Sequence, residues 1–234
     1  MRVGVGTVVY HGYGQWLPQW CAAVGVAGPD LAVCVLGQGH GLTDAALRRC
    51  RDLLPQLIVV NDQDPPTMGR LWDVACAHLD TDWLQIVDVD DILYPHALAA
   101  YARHAPAADV LLPAMHVCRG ARQVTRVPYT PAEAAHRPRM WFGNSLVLRR
   151  QLWQQVRIQP HDYARYTLVA DLVEAGARFV VVDEPCLRYV QRPDGHAARV
   201  LGKRGGPVMP EEKRQAERHR LDMQDRIRAH FGVG

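Results

Sequence analysis

Apolar positions fall in short runs along this chain, and the runs alternate with stretches of helical period. Arg2–Tyr10 is rich in β-branched residues and reads as a first buried strand, and Gln15–Val24 reads as a helix after a Gly-rich turn. Leu31–Leu36 is a second short apolar run, stopped by the turn-forming GQGHG at 37–41. Thr43 stands where an N-cap opens a helix over Asp44–Leu54. Leu57–Val60 is a third strand, ending at NDQDPP, and Thr67 stands as the cap of a helix Met68–Leu79. Trp83–Val87 is a fourth strand. Three carboxylates within four residues follow it (Asp88, Asp90, Asp91), then a helix from near Pro95 to His104.

The second half reads differently. Asp109–Val117 is predicted as a strand, with Arg122–Val127 as an edge strand paired to it. Tyr129–Arg139 is loop-like. A strand Leu146–Leu148 leads into a helix Arg150–Val156, and Tyr163–Ala175 reads as a helix closed by Gly176. Arg178–Val182 is a last buried strand, and Cys186–Val190 is strand-like beyond Glu184-Pro185. Residues 191–210 are loop-like, and Glu211–Phe231 is a charged helix with a thin apolar stripe.

Continuous apolar strands separated by helices imply a parallel sheet covered on both faces. Ligands of such sheets bind beyond the C-terminal strand ends. Tyr10–Gly12, Gly37–His40, Asn61–Asp64 and Asp88–Asp91 all stand there, so one crevice lined by four polar loops is expected.

Composition narrows the class. The chain has 234 residues, 48% hydrophobic and 22% charged, the balance of a folded α/β domain rather than a disordered segment. No apolar run approaches a membrane span, and the N-terminal MRVGVGTVVYHG is too short and polar for a secretory leader. No membrane insertion and a cytoplasmic location are therefore expected. The six cysteines are scattered, with no CxxC pair, and read as buried free thiols rather than disulfides or zinc ligands. From Arg188 onward, eleven Lys or Arg face six Asp or Glu, against a slightly acidic remainder. A basic tail suits closure over an anion, and it equally suits a solvated helix.

Buried anions need a cation or hydrogen-bond donors. Asp88 and Asp90, two apart on an extended chain, leave it on the same side. They can converge on Mg²⁺ or Mn²⁺, which take few protein carboxylates and fill the remaining positions with water and phosphate oxygens. The alternative is a turn in which Asp91 caps the following helix.

The segment DWLQIVDVDDILYPHAL resembles the D-x-D segment of family-2 glycosyltransferases of the GT-A fold. Collinear pieces agree with it: RVGVGTVVYHGYGQWLPQW, LIVVNDQDPPTMGRLWDVACAHL, WFGNSLVLRRQLWQQV and LVEAGARFVVVDEPCLRYVQRPDGHAAR. Together they cover roughly residues 2 to 200. The resemblance implies an α/β fold of GT-A type, a single domain with a mostly parallel central sheet, helices on both faces and a small antiparallel acceptor-side region. It implies a nucleotide-sugar-binding half at 1–112, an acceptor-binding half at 113–190 and a basic C-terminal loop and helix at 191–234.

The implied activity is metal-dependent transfer of a sugar from a nucleotide-sugar, expected to be a UDP-sugar, to a hydroxyl. Mn²⁺ or Mg²⁺ would be held by Asp90 and Asp88, with His196 as a further ligand or simply an exposed loop histidine. Donor contacts are expected from Val9, Tyr10, Gln38, His40, Asn61, Arg70, Asp88, Asp91, Arg192 and Lys203, and acceptor contacts from Trp141 and Asn144.

Two positions depart from the family. The second strand usually ends in a carboxylate that reads uracil, whereas Leu36-Gly37-Gln38-Gly39-His40 stands here, so Gln38 or His40 must supply those bonds. The acidic pair that usually provides the catalytic base falls on Ala164-Arg165. Asp162 is the nearest replacement for the base. A non-catalytic nucleotide-sugar-binding protein of the same fold is therefore the second reading, and a transferase acting on modified DNA bases a third. The acceptor is expected to be saccharide-type, with nucleic acid less favoured because the basic tail lacks interleaved aromatics. A sugar-1-phosphate nucleotidyltransferase is disfavoured, because Gly4–Thr7 lies inside the first strand and carries no Arg or Lys.

Overall fold

The strand Val3–Val9 (β1) is buried at all seven positions, which requires cover on both faces of the sheet it belongs to. The computed structural model describes residues 1–64, 67–119, 122–127, 146–160 and 164–191, with positions 225 and 229 of the C-terminal segment. After β1 come a 3₁₀ turn at Tyr13–Trp16 and helix α1 (Leu17–Ala27), β2 (Leu31–Leu36), α2 (Asp44–Leu53), β3 (Leu57–Asn61) and α3 (Met68–His78). The chain continues through β4 (Trp83–Ile86), β5 (Ile92–Leu93), α4 (Ala97–His104), β6 (Val110–Arg119) and β7 (Arg122–Val127). It ends, among the described residues, with β8 (Val147–Arg149), α5 (Arg150–Val156), α6 (Ala164–Glu174) and β9 (Phe179–Gln191).

One mixed sheet gathers these strands in the order β3-β2-β1-β4-β8-β6-β9-β5, with β7 on β6. β3, β2, β1 and β4 are parallel, in register through Val5↔Ala32 and Val5↔Gln85. β8 inserts antiparallel between β4 and β6 (Gln85↔Val147, Leu111↔Val147), so β6 runs in the direction of β4. β9 lies parallel to β6, while β5 and β7 add antiparallel pairs. The C-terminal ends of β1 to β4, β6 and β9 therefore point the same way, and a ligand edge exists along that side.

Local chemistry explains most boundaries. Thr43 Oγ1 accepts from Ala46 N at 3.2 Å and Thr67 Oγ1 from Arg70 N at 3.3 Å, so both expected caps form. Gly176 adopts φ 73° and ends α6, a left-handed turn open to glycine. All six cysteines are free and buried.

Four features differ from expectation. A 3₁₀ turn takes the segment where the first helix was expected to begin, and α1 starts at Leu17 with a proline in its first turn. The helix after Pro95 opens at Ala97 with His96 at its N-cap, so Asp91 does not cap it. The two strands expected around Glu184-Pro185 are one strand, β9, whose register against β6 shifts between Pro113 and Met115. Pro113 and Pro185 both lack an N–H for the ladder, and the shift falls where they meet. The two-residue β5 was hidden behind the acidic turn.

Two polar hubs lock the layers. Asp73 on α3 accepts from Trp153 Nε1 (2.8 Å), Ile158 N (3.1 Å) and the Arg157 guanidinium, fixing α3 to α5. Asp109, at the start of β6, accepts from Arg178 Nε (2.8 Å) and Nη2 (3.0 Å) and from Arg149 Nε (3.2 Å). The Arg178 hydrogen bonds hold its carboxyl down to about 2, against the opposing effect of partial burial.

Candidate functional site

The loops at the β1 and β2 ends are zipped together by backbone. Gly37 N donates to Val9 O (2.9 Å), and the pairing then continues past the strands. His11 N donates to Gln38 O (3.2 Å), Gly12 N to Gly39 O (2.6 Å) and Gly14 N to His40 O (2.9 Å). The β1 chain can follow this path because it turns through His11 (φ 49°) and Gly12 (φ 82°). The contact at Gly14 is close. A Cβ there would sit 2.5 Å from His40 O and 2.6 Å from Leu42 Cγ, so only glycine fits. Val9 and Tyr10 are buried at the base of this double loop, and the Tyr10 ring stacks with Tyr13 at 6.4 Å.

The β3 loop joins the same edge. Asp62 N donates to Leu36 O at 2.9 Å, and Gln38 Nε2 donates to Gln63 O at 2.6 Å. Gln38 thus spends its amide on tying two loops, which leaves its Oε1 as the acceptor. His40 Nδ1 accepts from Leu42 N at 3.0 Å, so the ring proton sits on Nε2 and that nitrogen is a donor. Arg70 opens α3 and lies 3.0 Å from Asp62 Oδ2 and 2.6 Å from Asp64 Oδ2. The Thr67 cap and this double anchor hold the guanidinium at the crevice. Asn61 is exposed at the end of β3.

The acidic turn closes the edge. Val87 N donates to Gly6 O (2.8 Å), continuing the β1 ladder one residue past β4, and Asp91 N donates to Asp88 O (3.0 Å). Val87, Val89 and Asp91 are buried, whereas Asp88 and Asp90 are half-exposed. That alternation places Asp88 and Asp90 on one side, as the spacing predicts. Asp91 is 2% exposed, and its Oδ1 accepts from Val190 N of β9 at 2.8 Å. It ties the turn to the far half of the sheet.

Among the described residues, no group of three or more His, Cys, Asp or Glu side chains converges into a closed metal cage. Two adjacent carboxylates on one side of a turn still fit a hard divalent cation that takes its other ligands from water and a diphosphate.

Of the expected site residues, Val9, Tyr10, Gln38, His40, Asn61, Arg70, Asp88, Asp90 and Asp91 share this edge. Trp141, Asn144, Asp162, Arg192, His196 and Lys203 lie outside the described residues. Sequence reading missed Asp62 and Asp64 as the anchors of Arg70. Their place in NDQD, between a strand and a helix cap, is the signal that could have found them. It also missed the fixed tautomer of His40, which no residue pattern encodes.

Comparison with protein-family models and with curated proteins gives no match. Solved structures do match. The chain is similar to residues 1–349 of S. aureus TarS in complex with UDP-GlcNAc, with a TM-score of 0.64 and 14% identity over 98% of this chain and 73% of that one. A second S. aureus TarS structure gives 0.61 and 16% over 95% of this chain, which spans only 43% of that chain. Glucosyl-3-phosphoglycerate synthase from Mycobacterium tuberculosis, in complex with Mg²⁺ and UDP, gives 0.62 and 15% over 96% of this chain and 79% of that one. The likeness shows the fold, an α/β domain of GT-A type with a mixed sheet of mostly parallel strands.

Proposed function

We propose that this chain is a metal-dependent glycosyltransferase that takes a sugar from a UDP-sugar and passes it to a hydroxyl acceptor. The observation that carries this reading is the burial alternation at 87–91, which leaves Asp88 and Asp90 side by side on the ligand edge. The structural neighbours solved with UDP, with UDP-GlcNAc and with Mg²⁺ and UDP support the donor class.

In this reading the nucleoside lies over the double loop. Tyr10 and Val9 form its floor, and Gln38 Oε1 and His40 Nε2–H present an acceptor and a donor to the base edge, replacing the carboxylate absent at the β2 end. Asn61 lines the side. Arg70, neutralised only in part by Asp62 and Asp64, faces the donor's negative charge. Asp88 and Asp90 hold Mn²⁺ or Mg²⁺ against the diphosphate. When bound, that cation supplies Lewis-acid stabilisation of the departing nucleotide. Asp91 acts through its bond to Val190 N, as a positioning residue rather than a donor contact.

Trp141 and Asn144 are assigned to the acceptor, Asp162 to removal of its proton, and His196, Arg192 and Lys203 to the metal and diphosphate. The test is release of UDP from UDP-sugars in the presence of Mn²⁺. Asp162→Asn is expected to remove turnover and keep donor binding, and retained turnover would move the base elsewhere.

A second reading, a binding protein without turnover, has one observation in its favour. Ala164 opens α6 and is 1% exposed, so a carboxylate is missing where the family usually places its base. Metal-dependent UDP binding with no UDP release from any UDP-sugar would favour that reading.

A further inference from the structure

A second polar cluster lies on the far half of the same edge, outside the donor loops. Tyr94 follows β5, His116 stands on β6 and Arg188 on β9. The Tyr94 hydroxyl is 2.8 Å from His116 Nδ1, and the two rings meet edge-on at 5.6 Å. His116 and Arg188 are direct partners across β6 and β9, and Arg188 and Ile92 across β9 and β5. Direct partners in a sheet leave it on one face. Arg126 of β7 stands opposite His116 in register.

Everything around this trio is closed and apolar. Leu93, Met115, Val117, Cys118 and Leu187 are buried, whereas Tyr94, His116 and Arg188 are half-exposed. The Arg188 charge reaches the Tyr94 hydroxyl, where it opposes the upward push of burial on the phenol. Glu184, the nearby carboxylate of β9, faces elsewhere, ion-paired with Arg103 and 3.6 Å from His96 Nε2.

The cluster is within reach of the acidic turn. Ile92 follows Asp90 by two residues, at most about 7 Å along an extended chain, and the β5–β9 crossing adds roughly 5 Å. Arg188 and Asp90 therefore bracket a space for a sugar and the group that receives it. With Tyr94 donating to His116 Nδ1, the ring proton sits on Nε2, and the imidazole presents a donor beside a guanidinium fork. That donor set matches a phosphate or a carboxylate, and a neutral hydroxyl would leave the guanidinium charge uncompensated.

We propose that Tyr94, His116 and Arg188 form an anion subsite that holds a phosphate or carboxylate group of the acceptor next to the hydroxyl receiving the sugar. This assignment of an anionic acceptor class rests on the transferase reading given above.

The test uses the full chain saturated with UDP and Mg²⁺, titrated with inorganic phosphate and, separately, with acetate. The His116 ring resonance is followed by NMR and assigned through His116→Gln. The expected result is a saturable shift with at least one of the two anions, and the tighter one identifies the acceptor group. Arg188→Met is expected to weaken that anion at least tenfold while the UDP Kd stays within twofold. Should Arg188→Met lower the thermal midpoint, Arg188→Lys keeps the charge without the fork and is expected to weaken the anion several-fold. No saturable shift, equal affinity in the folded Arg188 variant, or displacement of UDP by phosphate over the same range would each overturn the subsite. If wild-type chain does not bind UDP, the transferase reading fails by itself. The same phosphate titration without nucleotide still decides whether the cluster binds anions.

Discussion

Gly14→Ala perturbs the candidate donor pocket without touching any side chain assigned to the donor. The added Cβ would lie 2.5 Å from His40 O, 2.6 Å from Leu42 Cγ and 3.0 Å from Leu42 N. Two of these neighbours are backbone atoms, so the strain cannot be relieved by turning a side chain. The β1 and β2 loops must separate by most of an ångström. Overpacking of this kind costs about 1–3 kcal/mol, and loss of the 2.9 Å Gly14 N to His40 O bond adds roughly 1 kcal/mol. At about 2.1 cal/mol/K per residue for unfolding entropy, 234 residues convert 2–4 kcal/mol into a midpoint drop of about 4–8 °C. Because His40 Nε2 and Gln38 Oε1 ride on the displaced loop, UDP affinity should fall at least fivefold even where the variant is fully folded. Thermal melts and calorimetric titration with UDP and Mg²⁺ read both numbers. A midpoint within 1 °C of wild type, or an unchanged UDP Kd in the folded variant, would refute the reasoning that the double loop is the base site.

Other outcomes follow from the hubs. Asp73→Ala leaves Trp153 Nε1–H, Ile158 N–H and the Arg157 guanidinium without their shared acceptor, and should cost about 3 kcal/mol in denaturant unfolding. Asp109 has a folded-state pKa of about 2, below its ordinary value, so its contribution is present above about pH 4 and is lost as pH falls from there toward 2. After discounting for the exposed Arg178, that contribution is about 1 kcal/mol, and Asp109→Asn should flatten the acid limb of a stability–pH profile by that amount. Asp91→Ala should leave Val190 N–H buried without its acceptor, at about 2 kcal/mol, and loosen the acidic turn enough to weaken metal-dependent UDP binding.

Much of the first half could be read from the chain because its signals are local. Thr43 and Thr67 cap the helices that their position announces, and β1 to β4 follow from runs of apolar residues with no competing period. The alternation at Val87–Asp91 was likewise implicit in D-V-D spacing. The second half depends on tertiary pairing. β5 is two residues long and exists because Ile92 and Leu93 meet Arg188 and Leu187 of β9, nearly a hundred residues away. β9 runs through Pro185 because β6 brings Pro113 to the same place, which no reading of either segment alone would suggest. Asp91 shows the limit for site residues. Its sequence context matches that of Asp88 and Asp90, and only the approach of Val190 sets it apart.

The central claim, that Asp88 and Asp90 bind a donor diphosphate through a divalent cation, is tested most directly by calorimetric titration of UDP into wild type and Asp90→Asn, each with and without Mn²⁺. Wild type should bind UDP at least tenfold more tightly with Mn²⁺ than without, and Asp90→Asn should lose that increment while keeping its thermal midpoint. Equal UDP affinity in the two proteins with Mn²⁺ present would contradict the account.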